Sequence, residues 1–157
     1  MTRFLLFLIA AIAPFLVLGQ QGAEDSKAFK HPLTDMPGAA EDVETTFFFP
    51  SQSDLKFPIG EVIHSLCHFS NKGSSKYNIS AIMGSLNAPF DFSHHFQNYS
   101  YKPFGIVVKN DEEITLKYTF QLHPELEPVD YQLAVTVFYE SETESFSTTF
   151  FNQVTNN

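Results

Sequence analysis

An all-β, immunoglobulin-like antiparallel β-sandwich of seven or eight strands is predicted by three observations. Short runs alternate apolar and polar residues at near-regular spacing, turn residues separate the runs, and no stretch joins helical caps to a 3.6-residue period. The Cys pair and core Trp of antibody domains are absent, so the expectation is a general sandwich of this kind. A chain of 157 residues allows one modest domain with tails. Eighteen phenylalanines and no tryptophan, in a β-rich chain, describe a Phe-packed core.

The chain opens with Arg3, an apolar run from Phe4 to Leu18 interrupted by Pro14, and small residues before Gln20. Residues 1–19 therefore read as a cleaved secretory signal peptide, the run being short for a bilayer span of roughly 20 residues. Residues 20–43 have no period and carry dispersed Asp and Glu with four Pro or Gly, as a flexible acidic leader does. No Asp-x-Asp/Asn-x-Asp/Asn-Gly loop is present there, so calcium is only weakly supported and no other cofactor is expected.

Within the sandwich, expected over residues 44–155, the first strand is 45–49, closed by Pro50, and residues 54–57 read as a short edge piece. In 61–69, Ile63, Ser65, Cys67 and Phe69 share one face and Val62, His64, Leu66 and His68 the other. Ser70 to Ser75 form a turn of residues that tolerate positive φ or bond their own backbone, and 77–86 is the next strand. Residues 90–97 read as part strand and part loop, and 99–108 as an extended segment broken at Pro103 and Gly105. In 113–122, Ile114, Leu116, Tyr118, Phe120 and Leu122 alternate without a break against polar residues. Strands at 131–139 and 146–154 complete the set around a charged turn at 140–144.

Two Asn-x-Ser triplets, at Asn78 and Asn98, are N-glycosylation acceptors in a chain entering the secretory pathway, and each side chain must face water. Catalytic and metal sites are not expected. His64 and His68 lie four residues apart on one strand face, about 13 Å at the strand rise, too far for one ion. Adjacent His94 and His95 point to opposite faces if extended, as do Cys67 and His68, which excludes a nucleophile pair. The single Cys67 reads as a small buried hydrophobe, with a reactive or intermolecular thiol as the alternative. The formal charge of -9 argues against nucleic acid or anionic lipid as a direct partner. The aromatic stretch 89–104 is a binding surface if exposed, and equally Phe90, Phe92 and Phe96 are candidates to fill the core.

The order and spacing of Phe69-Ser70-Asn71-Lys72-Gly73, Ile82 to Leu86 with Pro89, Phe96-Gln97-Asn98-Tyr99-Ser100, Val107-Val108, Leu116-Lys117-Tyr118-Thr119-Phe120 and Phe151-Asn152-Gln153 resemble the lumenal domain of the translocon-associated protein alpha family, also called signal sequence receptor alpha. The match runs over nearly all of residues 45–154. The resemblance implies a non-enzymatic subunit of the endoplasmic-reticulum translocon, with a glycosylated lumenal sandwich, then a membrane span and a short basic cytosolic tail. It implies contacts with the beta subunit and the protein-conducting channel, assistance to nascent chains, and a calcium-binding acidic leader. The span is expected after residues 156–157. Val154 removes a further acceptor that the family often has at Asn152. The alternative is a secreted soluble immunoglobulin-like binding module using the aromatic stretch.

Overall fold

The computed structural model describes residues 32–155, with the side chains of residue 92 and of residues 150–155 left aside. The expected signal peptide and residues 20–31 of the expected leader lie outside this part. Eight strands follow one another: β1 (Val43–Phe48), β2 (Val62–Asn71), β3 (Tyr77–Ala88), β4 (Asp91–Asn98), β5 (Lys102–Val108), β6 (Glu113–Gln121), β7 (Tyr131–Glu140) and β8 (Ser145–Thr155). No helix occurs among the described residues.

The strands form two antiparallel sheets, a three-stranded one ordered β1-β2-β6 and a five-stranded one ordered β4-β3-β7-β8. The fifth strand, β5, shares the β4 edge of β3. It pairs with Tyr77 to Ile82, whereas β4 pairs with Ser85 to Ala88. This is the immunoglobulin-like sandwich that the strand rhythm predicts.

The alternating strands bury the expected faces. Ile63, Cys67 and Phe69 of β2, Leu116, Tyr118 and Phe120 of β6, and Tyr131, Leu133, Val135, Val137 and Tyr139 of β7 meet between the sheets. Tyrosine contributes as much as phenylalanine: Tyr77, Tyr99, Tyr118, Tyr131 and Tyr139 are buried beside Phe49, Phe57, Phe69 and Phe120. The ring of each tyrosine fills the core, and among the described residues the hydroxyls of all but Tyr99 find a polar partner. Tyr77 Oη donates to Asp42 Oδ1 at 2.7 Å and Tyr131 Oη to the Glu127 carbonyl at 3.1 Å.

Three expectations are corrected. Residues 54–57 form no strand. Leu55 turns the chain at φ 58°, its N–H bonding the Gln52 carbonyl and its side chain packing partly against the core, and Phe57 enters the core, edge-on to Phe49 at 4.5 Å between ring centroids. Residues 91–98 are wholly strand. Phe90, offered as a core residue, sits 99 % exposed at the tip of the two-residue β3-β4 connection. Residues 102–108 run as one strand through Pro103 and Gly105. An edge strand tolerates a missing N–H, and Gly105 takes a left-handed φ of 66° that a side chain would strain.

Residues 32–43, read as the end of the leader, lie on the sandwich. Ser147 N–H donates to the Gly38 carbonyl at 3.2 Å and Ser147 Oγ to the Pro37 carbonyl at 2.7 Å, so this segment supplies partners to the outer edge of β8. Ala40 N–H donates to Tyr139 Oη at 3.0 Å, and Lys72 N–H to the Asp42 carbonyl at 2.8 Å. The free edge of β6 is closed by side chains instead. Lys102 Nζ donates to the Lys117 carbonyl at 2.7 Å and Gln97 Nε2 to the Gln121 carbonyl at 2.9 Å.

Candidate functional site

Both acceptor asparagines project from one surface, the outer face of the five-stranded sheet. In β3, Tyr77, Ile79, Ile82 and Leu86 are buried in the core, so Asn78 and Ser85 point outward. Asn98 pairs directly with Ser85 and is exposed. The seven positions from Asn78 to Ser85 separate the two acceptors by about 20 Å along the sheet. Asn78 Nδ2 donates to Glu140 Oε1 at 2.8 Å at the surface, beside Val107.

The opposite surface, the outer face of the three-stranded sheet, carries neither acceptor. Its cross-strand rows are Glu44-Ser70-Glu113, Thr46-His68-Thr115, Phe48-Leu66-Lys117, His64-Thr119 and Val62-Gln121. Phe48 is 49 % and Val62 52 % exposed. The face thus has an apolar group set among hydroxyls, an amide, imidazoles and the charged Lys117, Glu44 and Glu113, a composition suited to a polar-rimmed protein contact.

The histidines do not converge. His64 Nδ1 lies 3.2 Å from Thr119 Oγ1, while His68 Nδ1 lies 3.3 Å from Thr115 Oγ1 and its Nε2 3.6 Å from Glu113 Oε2. His94 packs edge-on against Phe96, and His95 Nδ1 is 2.8 Å from Asn87 Oδ1. Among the described residues no three His, Cys, Asp or Glu side chains group as metal ligands would. Cys67 is fully buried, and loss of solvent pushes its thiol up, away from the reactive thiolate.

Glu113 ties together the end of this face. It accepts from Lys72 Nζ at 2.7 Å and Ser70 Oγ at 2.8 Å, and the lysine bond, then the serine bond, holds its carboxyl below the usual range. The adjoining turn is fixed by buried Asn71, whose Nδ2 donates to the Ser75 and Lys109 carbonyls at 2.6 and 2.8 Å.

The aromatic stretch divides. Phe96 and Tyr101 are about half exposed, Tyr99 is buried in the core, and the side chain of Phe92 lies outside the described part. Sequence reasoning missed the device that holds this region to the core. Between β4 and β5 the edge of β3 has no ladder partner at Gly84. Its carbonyl accepts from Tyr99 N–H at 2.9 Å, and its N–H donates across the sandwich to Tyr118 Oη at 3.0 Å. Tyr118 Oη in turn donates to the Ser100 carbonyl at 3.0 Å, next to the Asn98 acceptor. Gly84 is small for a reason: a Cβ there would stand 3.0 Å from Tyr99 Cδ2 and 3.4 Å from Tyr118 Cε1.

The family model described as translocon-associated protein (TRAP), alpha subunit, matches residues 8–156. A relative named translocon-associated protein subunit alpha, from Dictyostelium discoideum, is 37 % identical over 115 residues, which cover 73 % of this chain and 49 % of the relative. Relatives of the same name from Oncorhynchus mykiss and Arabidopsis thaliana are 28 % and 25 % identical, over 71 % and 82 % of this chain and 38 % and 49 % of theirs. The chain thus spans about half or less of the length of these relatives. With the family model covering nearly the whole chain, this β-sandwich belongs to the translocon-associated protein alpha subunit family.

Proposed function

We propose that this chain is a non-enzymatic, lumenal part of the endoplasmic-reticulum translocon-associated complex, assisting translocation through protein contacts made by the three-stranded sheet. The observation that carries the reading is the segregation of the two faces. Asn78 and Asn98 share the outer face of the five-stranded sheet, and the opposite face exposes Phe48 and Val62 without an acceptor. A glycan hydrates and sterically fills the face that bears it. A neighbouring subunit therefore docks where burial of apolar surface is unobstructed.

In this reading residues 1–19 direct the chain into the secretory pathway and are removed, and both asparagines are modified. The family resemblance supports the beta subunit and the protein-conducting channel as the neighbours, and a membrane span in the whole protein. No cofactor takes part, and the dispersed carboxylates of the leader give calcium little to bind. Isolation of the tagged chain from gently solubilised microsomes tests this. Co-purification of other translocon-associated subunits or of the channel is expected, and recovery as a freely diffusing lumenal protein would overturn the proposal.

A further inference from the structure

The outer face of the five-stranded sheet contains a cleft of about 250 Å³ beside Asn98, floored by Ser85, Asn87, Ala134, Thr136 and Thr149 and bordered by Leu33 and Met36. Its polar groups are largely matched to one another. Thr136 Oγ1 and Thr149 Oγ1 are 2.9 Å apart, and Asn87 Oδ1 meets His95 Nδ1 at 2.8 Å. Ser85 is the exception: the residue lines the cleft at 1 % exposure, and its Oγ, closed to solvent, has no hydrogen-bond partner among the described residues. Such an orphan hydroxyl calls for a ligand atom that the fold itself does not supply.

Asn98 lies directly opposite Ser85 in the antiparallel register, which sets the two side chains on the same face with Cβ atoms about 5 Å apart. Any group attached to Asn98 Nδ2 begins at the rim of the cleft. We infer that the cleft is an intramolecular binding site for the first N-acetylglucosamine of a glycan on Asn98. The inference rests on the modification of Asn98 in the reading above. In that modification Nδ2 gives up a proton and bonds the anomeric carbon of a lipid-linked oligosaccharide, whose pyrophosphate leaves with the electron pair.

The chemistry of the two partners agrees. The sugar's hydroxyl and acetamide groups supply both donors and acceptors for Ser85 Oγ and the Thr136-Thr149 pair, and its acetyl methyl finds Ala134 and Met36. The cleft is smaller than the roughly 300–1,000 Å³ of ordinary ligand pockets and suits one ring, not an oligosaccharide. Met36, 37 % exposed and unbranched, is the part of the border that adapts as the ring enters. The glycan would then stiffen the β3-β4 edge as well as shield it.

The test uses the full chain carrying Asn78→Gln, made in a secretory host, so that Asn98 is the single glycan site. Mass spectrometry of the Asn98 peptide first reads occupancy, and an unmodified Asn98 overturns both the modification and the inference. With Asn98 occupied, trimming the glycan to one N-acetylglucosamine is expected to leave the melting temperature unchanged. The same chain with Ser100→Ala, which keeps Asn98 but leaves it unmodified, is expected to melt about 4 °C lower than the one-sugar form. Ser85→Ala is expected to abolish most of the difference. In the trimmed protein, nuclear Overhauser contacts are expected between the acetamido methyl and protons of Ala134 or Thr136. An occupied Asn98 with no such contacts, and with a one-sugar form that melts no higher than the Ser100→Ala chain, overturns the inference while leaving the modification standing.

Discussion

Replacing Tyr118 by Phe removes one oxygen from the centre of the sandwich and leaves the ring volume in place. Two groups lose a partner: the Gly84 N–H, which donates to Tyr118 Oη at 3.0 Å, and the Ser100 carbonyl, which accepts from it at 3.0 Å. The gap between β4 and β5 offers the Gly84 N–H no strand to turn to. A buried donor left unpaired costs about 1–3 kcal/mol, and the Ser100 carbonyl, partly exposed, recovers water at little cost. A loss of about 2 kcal/mol is therefore expected, or about 8 °C in melting temperature for a domain of this size. Urea unfolding followed by far-ultraviolet circular dichroism should show the midpoint falling with an unchanged m-value, since the same surface is exposed. Hydrogen exchange at the Gly84 amide should accelerate with it. A variant within about 0.5 kcal/mol of the wild type, with the Gly84 amide still protected, would show that Tyr118 Oη is not the partner that this amide depends on.

Tyr99→Phe is the matched contrast: the Tyr99 hydroxyl is buried without a partner among the described residues, so its removal should be neutral or stabilise the fold by up to about 1 kcal/mol in the same urea assay. Cys67 should resist alkylation in the native chain at any pH the fold survives and react fully in denaturant, because burial keeps the thiol protonated and shielded; rapid native labelling would contradict its place in the core. Glu113 gives a pH signature. Its folded carboxyl is held below the ordinary value by Lys72 and Ser70, so its contribution is complete above about pH 4.3 and fades as pH falls through the folded value. Glu113→Gln should thus be less stable than the wild type at neutral pH, and thermal melts of the two should converge in acid.

The strands that alternate cleanly were legible because one period fixes both conformation and face. In β2, β6 and β7 the apolar set falls on every second residue, and each of those faces is the buried one. The outward aim of Asn78 was legible from its acceptor triplet, and the residue lies between buried Tyr77 and Ile79. That Asn98 shares its face was not, because it depends on the Ser85-Asn98 pairing beyond a β-bulge, and register is a property of two strands. Pro103 and Gly105 suggested a break because sequence alone does not show that β5 is an edge strand, where neither is costly. Phe57 suggested a strand, although one ring can reach the core from a loop. The Gly84-Tyr118 bond joins residues 34 apart and answers a gap between strands, which no local pattern displays. The same holds for residues 37–40: their composition is that of a linker, and their partners, the open edge of β8 and Tyr139 of β7, are distant in sequence.

The central claim is that protein partners meet the three-stranded sheet while glycans occupy the other face. A photo-crosslinking amino acid placed at Phe48 or Val62, and in a parallel chain at Val107 on the glycan-bearing face, tests it in intact microsomes. Phe48 and Val62 are expected to capture another translocon-associated subunit or the channel, and Val107 neither. Capture from Val107 alone would contradict it.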